Sequence, residues 1–118
     1  MSGKLKNATL EEIKNFIEEE LNKNSEPISD VKAIYEFHIT GEEEDTFQLQ
    51  LQGGQAKIVQ GDKEVADCVL TMSFKSFQQF LIGKLSGTVA FMTGKLKLKG
   101  DISKALKLES ILKQYKIQ

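Results

Sequence analysis

Cys68 and His38, the sole cysteine and sole histidine of this 118-residue sequence, are the pair that could supply a thiolate nucleophile and its base. That chemistry needs a third group to orient the histidine, and no spacing in the sequence provides one. Cys68 instead opens the apolar run Cys68-Val69-Leu70-Thr71-Met72, where a lone cysteine reads as a small buried hydrophobe. One cysteine excludes an intrachain disulfide and a multi-cysteine zinc site and fits a reducing compartment, and one histidine removes most other metal sites. Asp67 and Asp101 have no second carboxylate at a recognisable spacing, so they read as turn and cap residues rather than as a general acid and base. No catalytic residue, metal or cofactor is expected.

What remains is apolar surface. The helical patterns of the second half carry Phe74, Phe77, Phe80, Leu81, Leu85, Val89, Phe91, Met92, Leu106, Leu108, Ile111 and Leu112. Ordinary core packing accounts for many such stripes. This set is more than one sheet face should need to cover it, and a helix layer lying loosely over a sheet leaves a dry cavity for an apolar ligand.

The elements that must position these side chains follow from the period of the apolar residues. Thr9 with Glu12 three positions later is a capping box, and Leu10, Ile13, Phe16, Ile17 and Leu21 continue at helical spacing, which predicts a helix over 10–23. Pro27 lies in the breaker cluster Asn24-Ser25-Glu26-Pro27. Val31 to Ile39 alternates apolar and polar as a half-buried strand with His38 outward, and Phe47, Leu49 and Leu51 alternate with glutamines in a second. Gly53-Gly54 predicts a hairpin, 56–60 a third strand, Gly61-Asp62-Lys63 another turn and 68–72 a fourth strand, together an antiparallel meander. Ser73 and Ser86 are positioned to cap two helices. In Phe91-Met92-Thr93-Gly94-Lys95-Leu96-Lys97-Leu98-Lys99-Gly100-Asp101 the period changes twice, as helix end, strand and helix start. Asp101 caps a last helix. The reading is one α+β domain over residues 1–118, its sheet covered by helices on one face.

Composition excludes several function classes. The hydrophobic content is 40% and the charged content 28%, with 16 lysines, 17 acidic residues and a net charge of -1. Arginine is absent, and a domain without guanidinium groups or basic excess is not expected to bind nucleic acid. The N-terminal segment lacks a signal-peptide core, Ser2 rather than glycine follows Met1, and the final residues do not form a peroxisomal Ser-Lys-Leu ending. The expected location is cytoplasmic.

From Ala66-Asp67-Cys68 onward the sequence resembles the sterol carrier protein type 2 domain, also called the non-specific lipid-transfer domain. The resemblance rests on that strand start, the aromatic-rich helix ending Leu81-Ile82-Gly83-Lys84, the block Ala90-Phe91-Met92-Thr93-Gly94-Lys95-Leu96-Lys97-Leu98-Lys99-Gly100-Asp101, and Ala105-Leu106-Lys107-Leu108 in the last helix. The layout of the first half is similar too. The resemblance implies a five-stranded, mostly antiparallel sheet with a hydrophobic tunnel between sheet and helices. It further implies non-enzymatic binding and transfer of fatty acids, fatty acyl-CoA, sterols or phospholipids. Phe77, Phe80, Leu81, Leu85, Val89, Phe91, Met92, Leu106 and Ile111 become the tunnel-lining candidates. Thr93 joins them because it stands where some relatives place a glutamine that touches the ligand's polar part, as Thr88 does for a second glutamine.

The partners expected are the lipid itself, a transient membrane surface and no nucleic acid, with the chain a monomer or weak homodimer. Lys95, Lys97 and Lys99, with Lys84, Lys104 and Lys107 nearby in sequence, form either a patch for anionic head groups or a solvated strand face that guards an edge. The alternative function is an interaction module of the same fold with a filled core, using Leu112 and Tyr115 of the C-terminal helix as contact surface.

Overall fold

Thr9 starts the first helix as its spacing with Glu12 predicts. The Thr9 hydroxyl accepts from the Glu12 amide at 3.2 Å and the Glu12 carboxylate accepts from the Thr9 amide at 2.8 Å. The computed structural model describes residues 7–115, so the terminal segments read for targeting lie outside the described residues. Helix α1 spans Leu10–Lys23 and buries Leu10, Ile13, Ile17 and Leu21 along one stripe. A 3-10 turn at Glu26–Ile28, with Pro27 in its first turn, carries the chain to strand β1 at Ala33–Thr40. Strands β2 (Asp45–Gln52) and β3 (Gln55–Gln60) follow, then β4 (Cys68–Ser73), helix α2 (Phe74–Leu81), helix α3 (Gly87–Met92), strand β5 (Leu96–Gly100) and helix α4 (Ile102–Leu112). Ser73, Ser86 and Asp101 cap α2, α3 and α4 as expected, each side chain accepting from a backbone amide at 3.0–3.1 Å.

The five strands run in the order β3-β2-β1-β4-β5. The expected four-stranded antiparallel meander stops after β3, because β4 pairs with β1 in parallel, Tyr35 opposite Cys68 and Ile39 opposite Met72. The physical reason is the connection over residues 61–67, which is not a tight turn but a diagonal return across the sheet. Buried Gln48 of β2 holds it there, donating to the Glu64 carbonyl at 2.7 Å and to the Glu36 carboxylate at 2.9 Å. Asp67 then docks on β1, its amide donating to the Ile34 carbonyl at 2.9 Å and its carboxylate accepting from the Ile34 amide at 2.8 Å. The other three strand pairings are antiparallel.

One sheet face is polar and the other carries the core. Tyr35, Phe37, Ile39, Phe47, Leu49, Leu70 and Met72 point under the helices and are all buried. Phe37 and Phe47 stack at 5.2 Å between centroids, and Phe77 of α2 meets both edge-on at 5.5 and 6.1 Å. Helix α1 closes the outer edge of β3. Asn22 exchanges two 2.8 Å hydrogen bonds with the Ala56 backbone, and Glu18 accepts from the Ile58 amide at 2.7 Å. A strand edge occupied in this way offers no template for another chain.

Lys14 fixes the helix to the sheet. It is buried, with its amine 2.7 Å from the Asp45 carboxylate, 2.8 Å from the Gln60 side chain and 5.0 Å from the centre of the Phe47 ring. Burial alone would raise the Asp45 carboxyl, but hydrogen bonds from Lys14 and Gln60, the lysine charge and the Thr46 amide outweigh it and hold it below the ordinary carboxylate range. A depressed folded value means that this stabilisation is complete above the unfolded carboxylate value and is lost as pH falls through the folded one. Asp45→Asn is expected to cost about 2 kcal/mol near neutrality, with Glu11 at 3.5 Å still near the lysine, and to flatten the acid limb of stability. Denaturant titrations from about pH 3 to 7 check both; an unchanged acid limb would dismiss the pair as the cause.

Candidate functional site

Helix α3 is the most exposed of the helices lying over β4 and β5. Of its residues only Ala90 is buried, while Val89, Phe91 and Met92 are half or more exposed. Beneath and beside it lies a cavity of about 230 Å³. Leu70 of β4 and Leu96 and Leu98 of β5 form its floor; Phe80 of α2, Phe91 of α3, and Ile102, Ala105 and Leu106 of α4 form its walls. Gly87 and Thr88 at the start of α3 and Glu109 of α4 complete the lining. Thr88 and Glu109 are its polar side chains. The rest could desolvate a hydrocarbon at about 0.8 kcal/mol per methylene, with nothing apolar having to move aside first.

Glu109 also lines a second cavity of about 310 Å³ together with Phe80, Leu81, Ile82, Gly83, Leu112, Lys113 and Tyr115. Phe80 and Glu109 are therefore the wall between the two. The Glu109 carboxylate accepts from the Gly87 amide at 3.2 Å, which joins α4 to the first turn of α3. Gly87 permits this approach, since a β-carbon there would stand 2.8 Å from the carboxylate oxygen.

The groups considered for covalent chemistry are kept apart. Cys68 is fully buried beside Tyr35 on the helix-facing side, and burial, then the charges of Asp101 and Asp67, push its thiol up to about 11. His38, an odd number of positions from Tyr35 along β1, projects on the opposite side, 2.6 Å from the Glu36 carboxylate. The Tyr35 hydroxyl donates to the Lys104 carbonyl at 2.8 Å, tying β1 to α4, and burial followed by the charges of Cys68, Asp67 and Asp101 raises its own titration.

The family model described as the SCP-2 sterol transfer family matches residues 13–113. The chain belongs to the SCP-2 sterol transfer family. Within it, the chain is 34% identical to the apo form of sterol carrier protein 2 from Yarrowia lipolytica, with 96% of each chain covered and a TM-score of 0.75. It is 27% identical to sterol carrier protein domain 2 of Helicoverpa armigera, covering 88% of this chain and 84% of that one at a TM-score of 0.72. It is also 41% identical over 92 residues to hydroxysteroid dehydrogenase-like protein 2 of Xenopus tropicalis. That match takes in 77% of this chain and 22% of the relative, so the chain spans about a fifth of that protein's length.

On this sterol-transfer fold the candidates separate into three groups. Phe80, Phe91 and Leu106 meet around the 230 Å³ apolar cavity. Phe77, Leu85 and Ile111 are buried outside its lining, Phe77 in the aromatic cluster, and Leu81 lines the second cavity. Val89, Met92 and Thr93 are exposed, and the Thr93 hydroxyl donates to the Val89 carbonyl at 2.8 Å, within its own helix. Leu112 and Tyr115, expected as a contact surface, are buried instead, and the Tyr115 hydroxyl donates to the Asn24 carbonyl at 2.6 Å. The lining residues not among the sequence candidates are Leu70, Leu96 and Leu98 from strands, the small Gly87 and Ala105, and Ile102 and Glu109, while Thr88 enters only as the place of a second glutamine in relatives. One signal for them was present: 102, 105, 106 and 109 share a helix face.

Proposed function

We propose that this chain is a non-enzymatic carrier that holds the acyl chain or ring system of a lipid in the 230 Å³ cavity and delivers it between membranes. The observation that carries the reading is an apolar cavity walled by three helices and two strands with two polar side chains in its lining. Membership of the sterol transfer family supports it. Fatty acids, fatty acyl-CoA, sterols and phospholipids are the ligand classes proposed, and a longer ligand would join the two cavities into a tunnel by displacing Phe80. Their volumes of 230 and 310 Å³ together come within the roughly 300–1,000 Å³ of ordinary ligand sites.

Membrane contact is assigned to the exposed side of α3. Met92 is 79% exposed, beside Val89 and Phe91 and close in sequence to Lys84 and Lys95, a composition suited to an anionic interface. Three variants separate the steps. Leu106→Glu places a charge on the cavity wall at a half-exposed position and is expected to weaken binding of a fluorescent fatty acid roughly tenfold. Lys97→Ala, on the sheet face away from the helices, should leave binding within about twofold. Met92→Glu should preserve affinity and slow transfer between vesicles. Fluorescence titrations of delipidated protein with a fatty acid and with a sterol probe that both fail to saturate would dispose of the carrier reading.

A further inference from the structure

The apolar cavity is asymmetric in a way that bears on which lipids enter it. Its polar side chains, Thr88 and Glu109, are joined through Gly87, the neighbour of Thr88, whose amide donates to the Glu109 carboxylate, while Ile102, Leu96 and Leu98 are apolar contributions to the lining. Ile102 and Glu109 are about two turns apart on α4, roughly 10 Å, so a ligand lying along the helix would have hydrocarbon beside one part and a carboxylate beside the other. Glu109 is the sole charged residue of that lining, and among the described residues it has no ion pair. One carboxylate oxygen is engaged by the Gly87 amide, which holds the group in place. A carboxylate facing an apolar enclosure accepts a hydrogen bond from a hydroxyl and repels a second anion, most strongly where water is excluded.

Resting on the carrier reading, we infer that Glu109 selects for lipids whose polar end is an uncharged hydroxyl and against those ending in a free carboxylate. Glu109 would accept the ligand's O–H, as a sterol or fatty alcohol offers, while the Gly87 amide keeps the carboxylate from turning away. An anionic lipid gains the same burial of its chain but brings its charge against another of the same sign.

Dodecan-1-ol and dodecanoate, matched in chain length, test this at about pH 8, where the acid is ionised. Glu109→Gln keeps an acceptor for the Gly87 amide and removes the charge. By titration calorimetry, the variant should bind dodecanoate roughly tenfold more tightly than the unaltered protein does, and the alcohol equally or slightly less well. Thermal unfolding of both proteins verifies that the fold is kept. Equal shifts for the two ligands, or none for dodecanoate, overturn the role of Glu109 and leave the carrier reading standing. If the unaltered protein and the variant bind neither ligand saturably, the carrier reading falls and takes this inference with it.

Discussion

Ala105→Phe is expected to remove most lipid binding while leaving the protein as stable as before or slightly more so. Ala105 is buried in the middle of α4 and lines the apolar cavity, so a larger side chain there has empty space to enter. A benzyl group would take the place of about four ligand methylenes, at about 0.8 kcal/mol each. The loss is about 3 kcal/mol, roughly a hundredfold in affinity. Filling a void adds contacts to the folded state, whereas the same substitution in a close-packed core costs about 1–3 kcal/mol. The thermal midpoint and the binding isotherm therefore distinguish a ligand cavity from a packing fault. Undiminished uptake by the folded variant would mean that lipid binds elsewhere.

The second large effect is on the fold. Gly100 ends β5 with φ of +96°, and a β-carbon added there would lie 2.5 Å from the Asp67 carbonyl oxygen and 3.3 Å from the Cys68 α-carbon. Both neighbours are backbone. The Asp101 amide also donates to that Asp67 carbonyl at 3.0 Å, so the strand cannot withdraw without breaking a hydrogen bond. Gly100→Ala is expected to cost about 4 kcal/mol, from backbone strain together with the collision. Gly53→Ala, at φ +61° with open space around its β-position, should cost only about 1–2 kcal/mol. Urea unfolding midpoints for the pair report the difference, and comparable losses would show that conformation alone, without the close approach, sets the requirement.

Local signals in the sequence were sufficient for the elements and insufficient for their arrangement. The Thr9–Glu12 box, the capping serines and the alternation around Phe37 and Leu49 each act over a few residues, and the helices and strands begin and end close to where they indicate. The parallel seam between β1 and β4 depends on Gln48 bonding the Glu64 backbone, two residues whose types predict nothing about each other. For the same reason Phe77 and Phe80, three positions apart on α2, could not be told apart by period. One meets Phe37 and Phe47, and the other meets the space under α3. The order of the elements indicated a sheet covered by helices on one face, and family resemblance added the expectation of a tunnel between them. It did not single out Ala105 or Gly87, whose contribution is the volume they leave empty.

The lining of the apolar cavity is drawn entirely from Leu70 to Glu109, whereas the edge seal, the Lys14 anchor and two of the three clustered rings come from residues before Gln60 or at it. During synthesis, the part of the chain that closes the sheet edge leaves the ribosome first, and the hollow part is laid against it afterwards. Inheritance can work on the same division. Substitutions within one continuous stretch can reshape what the protein carries, while the stretch before it goes on supplying a foundation that none of them needs to touch.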